Sequence, residues 1–74
     1  MNYTILVSKD EEAGVWIAEN KTLPILLEDE SIENLMERVK IAAPEIAELN
    51  GIQTPTSLTF DIHILVEGES ITNG

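Results

Sequence analysis

Apolar residues recur at Ile32, Leu35, Met36, Val39, Ala43, Ile46 and Leu49, in steps of three, four and seven. That spacing predicts a helix with one buried stripe, and the rest of the chain lacks it. Whatever else these 74 residues form must therefore be covered by a single helix. Ser31 is placed to cap its start, and Glu33 puts negative charge in the first turn, where the helix dipole favours it. Asn50-Gly51 ends it as a C-cap pair. Pro44 falls inside, removing a backbone donor and crowding the carbonyl of Lys40. The stripe keeps its register across Pro44, which favours a kink; a break with Pro44 in a first turn is the alternative.

The flanking segments alternate with period two. Tyr3, Ile5 and Val7 interleave with Thr4, Leu6 and Ser8, which reads as a strand. Asp10 to Gly14 reads as a hairpin loop with Gly14 at positive φ. Val15 to Glu19 is the return strand. Lys21-Thr22-Leu23-Pro24 is a second turn, and Ile25 to Glu28 a short third strand. Pro24 suits the start of an edge strand, because it cannot donate to a ladder. After a loop through Pro55, Leu58 to Glu67 is the longest alternating run. Leu58, Phe60, Ile62, Ile64 and Val66 share one of its faces.

This order predicts an α+β domain, β-β-β-α-β, with one kinked helix on one face of a four-stranded mixed sheet. The first three strands form an antiparallel meander. The helix then carries the chain back so that the last strand pairs parallel to the first, giving the order 3-2-1-4. A helix from Ser31 to Asn50 is about 30 Å long and the last strand about 33 Å, so one spans the other. The domain is expected over residues 1–67, with 68–74 as a frayed tail. Alternation places Tyr3, Ile5, Val7, Val15, Ile17, Phe60, Ile62 and Ile64 under the helix. It leaves Leu6, Trp16, Ala18 and Leu65 beside Thr4, Thr59, Asp61 and His63 on the uncovered face. So mixed a face is either a partner surface or, around Trp16, a ring that merely covers the sheet edge.

Charge narrows the partners. Fourteen Asp and Glu against four Lys and Arg give a formal charge of −10. Direct binding to nucleic acid or to an anionic membrane needs clustered basic residues and is not expected. The 43% hydrophobic content argues against disorder. Without cysteine there is no disulfide framework and no thiolate metal site. A core this small is marginal, and self-association is the usual aid. The first residues lack a charged n-region and an apolar run, and no stretch approaches a membrane span, so a cytoplasmic protein is expected.

Catalysis has little to stand on. Asp61 is the only acid well inside an expected strand. Asp61 and His63 share a face and could together ligate one metal, but a polar pair on an exposed face is the plainer reading. Two-metal chemistry needs several converging carboxylates, and His63 has no nucleophile identifiable beside it. A non-enzyme without cofactor or metal is expected. The acidic clusters Glu11-Glu12 and Glu28-Asp29-Glu30 are either solvated faces or a surface complementary to a basic protein.

Taken in order, the Tyr-containing first strand, Asp10-Glu11-Glu12-Ala13-Gly14-Val15-Trp16, Leu23-Pro24 and Glu30-Ser31-Ile32-Glu33-Asn34-Leu35 resemble the HicB-like antitoxin superfamily. Pro44-Glu45-Ile46 with Leu49-Asn50-Gly51 is more similar to a small uncharacterised branch of it. The resemblance spans Tyr3 to Val66. It implies a partial ribonuclease-H-like fold and a non-catalytic, commonly dimeric module that blocks a small basic RNA-cleaving toxin. Two departures stand out. Ile25 replaces a Gly that often follows the Pro. No Lys or Arg follows Lys40, so the DNA-binding segment of many members is not expected here. The candidate partner-binding residues are then Glu11, Glu12, Trp16, Glu28, Asp29 and Glu30. Candidates for dimerisation are Leu6, Trp16, His63 and Leu65. The alternative function is a stand-alone homodimeric module with no toxin.

Overall fold

The computed structural model describes residues 1–64. Four strands and one helix follow in the expected order: β1 (Asn2–Asp10), β2 (Val15–Asn20), β3 (Ile25–Asp29), α1 (Ile32–Leu49) and β4 (Ser57–His63). The sheet order is β3-β2-β1-β4. β2 runs antiparallel to both β1 and β3, and β4 runs parallel to β1. The last strand ends at His63, earlier than alternation alone suggested. Leu65, Val66, Glu67 and the expected tail at 68–74 lie outside the described residues.

Local chemistry sets each boundary. Asp10 Oδ1 accepts from the amides of Glu12 (3.1 Å) and Ala13 (3.2 Å), and Gly14 at φ +70° closes the turn onto the Asp10 carbonyl at 2.8 Å. Asn20 Oδ1 accepts from Leu23 N at 2.7 Å, holding the second turn. Ser31 Oγ accepts from Asn34 N at 3.1 Å as the helix N-cap. At the other end Ile52 N donates to Ala47 O (3.0 Å) and Gly51 N to Glu48 O (3.2 Å). With Gly51 at φ +65°, that pair of bonds is a Schellman ending. Pro44 stays inside one unbroken helix, so the break does not occur.

The core comprises Tyr3, Ile5, Val7, Ala18, Leu23, Ile25, Leu35, Val39, Ala43 and Ala47. Each fully buried Ile, Leu or Val in it contributes roughly 1.5–3 kcal/mol. Tyr3 is 4% exposed, and its hydroxyl donates to the Gln53 carbonyl at 2.7 Å, tying β1 to the loop after the helix.

Three expectations about facing need correction. In β2, Val7 pairs with Ala18 and Lys9 with Trp16, so Ala18 and Trp16 share the helix side with Val7. Val15 and Ile17 point the other way. Four successive apolar residues, Val15 to Ala18, left alternation unable to choose between faces; the loop that sets Asp10 opposite Val15 makes the choice. On the helix, Leu49 is 84% exposed. The buried positions Leu35, Val39, Ala43 and Ala47 advance in strict steps of four, which drift about 40° around the axis per step. By the last turn the stripe has rotated away from Leu49. Finally, Ile62 shares the helix side with Val7 yet is 44% exposed, because α1 packs on β2 and β3 and leaves the β4 flank open; Ile64, just past the strand, is 61% exposed.

Candidate functional site

Among the described residues one sheet face is left uncovered, and that face is the candidate surface for function. Strand register builds it in rows. Leu26, Glu19, Leu6 and Asp61 lie side by side across the four strands. Beside them run Glu28, Ile17, Ser8 and His63. Thr4 and Thr59 continue the face, and Asn2 lies across from Ser57. Leu26 is 68% exposed and Leu6 37%, while Ile17 and Glu19 are half-buried between them. Three aliphatic side chains thus lie in diagonal contact range, each next to a carboxylate: Glu19, Glu28 or Asp61.

A shallow depression of about 380 Å³ opens on this face, lined by Thr4, Leu6, Glu19, Asn20 and Lys21. Asn20 Nδ2 donates to the Thr4 carbonyl at 2.6 Å, bracing its floor. At the far end Asn2 joins Thr59 (Nδ2 to Oγ1, 3.3 Å) and accepts from Ser57 Oγ at 2.9 Å. His63 Nε2 lies 3.1 Å from Asp61 Oδ2, both side chains more than half exposed. Among the described residues no group of three or more His, Cys, Asp or Glu side chains converges as a metal site. No helix among them is long and apolar enough to cross a membrane.

The residues singled out from sequence separate into three places. Leu6, Glu28 and His63 share the open face. Glu11, Glu12 and Glu30 are exposed on loops. Trp16 and Asp29 lie opposite one another on the helix side. Trp16 packs against the core, with Lys9 Nζ 5.0 Å from its ring centroid. Asp29 is engaged within the fold. Its carboxylate accepts from Ser31 N (2.9 Å), Asn34 Nδ2 (2.7 Å) and Arg38 (3.2 Å). Those bonds, the Ser31 amide first, then Asn34 and Arg38, hold its pKa below the ordinary 3.8 despite partial desolvation. Arg38 also donates to the Glu28 carbonyl at 2.7 Å. Leu65 lies outside the described residues. The two acidic clusters belong to the same end of the sheet: Lys9, Trp16 and Asp29 are aligned across it, with Glu11-Glu12 following β1 and Glu28-Asp29-Glu30 closing β3.

Ile17, Glu19 and Leu26 were missed as surface residues. Leu26 and Glu19 follow from alternation once Ile25 and Ala18 are known to point inward. Ile17 needed the β1–β2 register.

Comparison with known proteins adds a family and a fold. Residues 2–70 match the model for a domain of unknown function, DUF1902. The chain is also similar to the crystal structure of the hypothetical protein TTHA1013 from the extremely thermophilic bacterium Thermus thermophilus. That match has 25% identity and a TM-score of 0.71, and it covers 89% of this chain and 94% of that one. No curated protein matches the chain.

Proposed function

The chain belongs to the DUF1902 family, and for this member we propose a non-catalytic protein-binding module: an antitoxin-like inhibitor of the HicB-like kind that occludes a small, basic, RNA-cleaving protein. The observation that carries the reading is the open sheet face, where Leu6, Ile17 and Leu26 are interleaved with Glu19, Glu28 and Asp61. The aliphatic side chains supply area to bury. The carboxylates match the Lys and Arg that an RNA-binding surface must carry. A net charge of −10 speeds the encounter and rejects acidic partners. Bound this way, the module places carboxylates where phosphates would lie. It works by coverage and needs no cofactor or metal.

The test starts from the gene beside this one. The reading expects a short Lys/Arg-rich chain there whose toxicity is relieved by co-expression. The purified pair should associate tightly at low salt and weaken as salt rises. Leu26→Asp should weaken the complex without unfolding the domain. A neighbourhood with no such gene, or a purified pair that does not associate at low salt, refutes the proposal. The second reading, a homodimeric module with no toxin, is supported by the exposed flank of β4.

A further inference from the structure

Asn50-Gly51, the pair that ends α1, carries a reactive chemistry of its own. In an Asn-Gly pair the backbone nitrogen of the glycine can attack the side-chain carbonyl carbon of the asparagine, because glycine has no Cβ to crowd that nitrogen or restrict its rotation. A bond forms between the glycine nitrogen and Cγ, and the Cγ–Nδ2 bond breaks. The amide nitrogen leaves as ammonia, taking the proton given up by the glycine nitrogen. Water then opens the cyclic imide at either carbonyl, leaving aspartate or isoaspartate. Asn50 and Gly51 are both exposed, so water and hydroxide reach them. Burial does not protect the pair; only its geometry can.

Three features of the closed cap oppose the reaction. At ψ 5° the Gly51 nitrogen eclipses the backbone nitrogen of Asn50, whereas ring closure needs it beside Cβ. Asn50 Nδ2 donates to the Ile46 carbonyl at 2.8 Å, which turns the side chain back along the helix. Gly51 N donates to the Glu48 carbonyl at 3.2 Å, so the proton that must be given up is engaged. The bonds that end the helix also hold the reacting atoms apart. We propose that Asn50-Gly51 is a deamidation site gated by the fold: inert while the cap is closed, reactive when it opens, and unable to rebuild the cap afterwards. An aspartate at 50 loses the donor to Ile46 and puts negative charge at the negative end of the helix dipole, in a last turn with no basic residue. An isoaspartate routes the main chain through Cβ. The added carbon shifts Gly51 N and Ile52 N out of register with the carbonyls of Glu48 and Ala47. Just beyond, the Gln53 carbonyl holds the Tyr3 hydroxyl at 2.7 Å, so damage to the cap reaches β1. The converted fraction therefore records the time that the helix end has spent open.

Asn73-Gly74 is a second such pair in the chain, so the measurement uses an Asn73→Gln background. The full chain is held at mildly alkaline pH, either folded in buffer or unfolded in guanidinium chloride. Conversion at residue 50 is followed by peptide mapping and by labelling with isoaspartyl methyltransferase. The folded chain should convert at least about 100-fold more slowly than the unfolded one, since the site is reached only by opening the cap. Ile52→Pro removes the donor to the Ala47 carbonyl while leaving the reactive pair intact, and should raise the folded rate at least about tenfold. Helical circular dichroism shows whether this variant is folded; if it is not, the folded-to-unfolded comparison decides by itself. Asn50→Asp, which installs the first product, should lower the urea midpoint, by less as salt screens its charge. A rate difference below about 100-fold, a folded Ile52→Pro that converts no faster, or an Asn50→Asp variant with an unchanged midpoint would overturn the proposal.

Discussion

Leu35 and Leu49 both belong to the helical stripe that periodicity picks out, yet the fold treats them oppositely. Leu35 is completely buried, whereas Leu49 keeps 84% of its exposure. Replacing Leu35 with Ala removes a buried side chain and leaves a cavity between α1 and the sheet, at a cost of about 2–5 kcal/mol. A chain of this length has roughly 4–11 kcal/mol in total, taking 0.05–0.15 kcal/mol per residue, so that one change removes a large part of it. Leu49 has transferred less than a fifth of its side-chain area, and Leu49→Ala should cost under about 0.5 kcal/mol. Urea titration followed by helical circular dichroism and by the fluorescence of the single Trp16 checks both. With a slope of about 1 kcal/mol per molar urea, Leu35→Ala should lower the midpoint by about 2 M or more, and Leu49→Ala by less than about 0.5 M. Comparable losses for the two variants would mean that the helix is seated on its periodic stripe after all, and the drift along Leu35, Val39, Ala43 and Ala47 would be refuted.

Gly51→Ala should cost about 1–2 kcal/mol. A Cβ there meets nothing within 4 Å, so the loss is the strain of φ +65° alone; no change in thermal midpoint would deny the left-handed cap. Tyr3→Phe removes the hydroxyl that bonds the Gln53 carbonyl and should cost about 0.5–1.5 kcal/mol, read as a lower urea midpoint with an unchanged slope. The Asp29 pKa is lowered in the fold, so its stabilising contribution is full above the ordinary carboxylate value. It is lost as pH falls through the depressed folded value. Asp29→Asn should therefore lower the melting temperature at neutral pH and narrow the gap to wild type in acid; a gap that widens in acid would contradict this sign.

Element order and strand boundaries were readable from sequence to within a residue or two, except at the end of the last strand. They depend on short-range chemistry: Ser31 and Asn50-Gly51 at the helix ends, Gly14 in the first turn, the alternation of Tyr3, Ile5 and Val7. Facing was another matter. Period two defines two faces without saying which one meets the helix. In Val15-Trp16-Ile17-Ala18, apolar on both sides, only the hydrogen-bonded register with β1 decides. That reversal moved Trp16 from the presumed partner surface to the helix side and brought Ile17 out in its place. The acidic run before the helix was legible as charge, but its division was not. Glu28 faces outward from a strand while Asp29 turns back to hold Ser31, Asn34 and Arg38. Leu23, a loop residue by its neighbours, is fully buried because the Asn20 turn folds it under the helix side of the sheet. Local propensities act over a few residues and are written along the chain. Which side of a strand is covered, and how far one helix reaches across four strands, depend on contacts between residues far apart in sequence, and these exist only once the chain has packed.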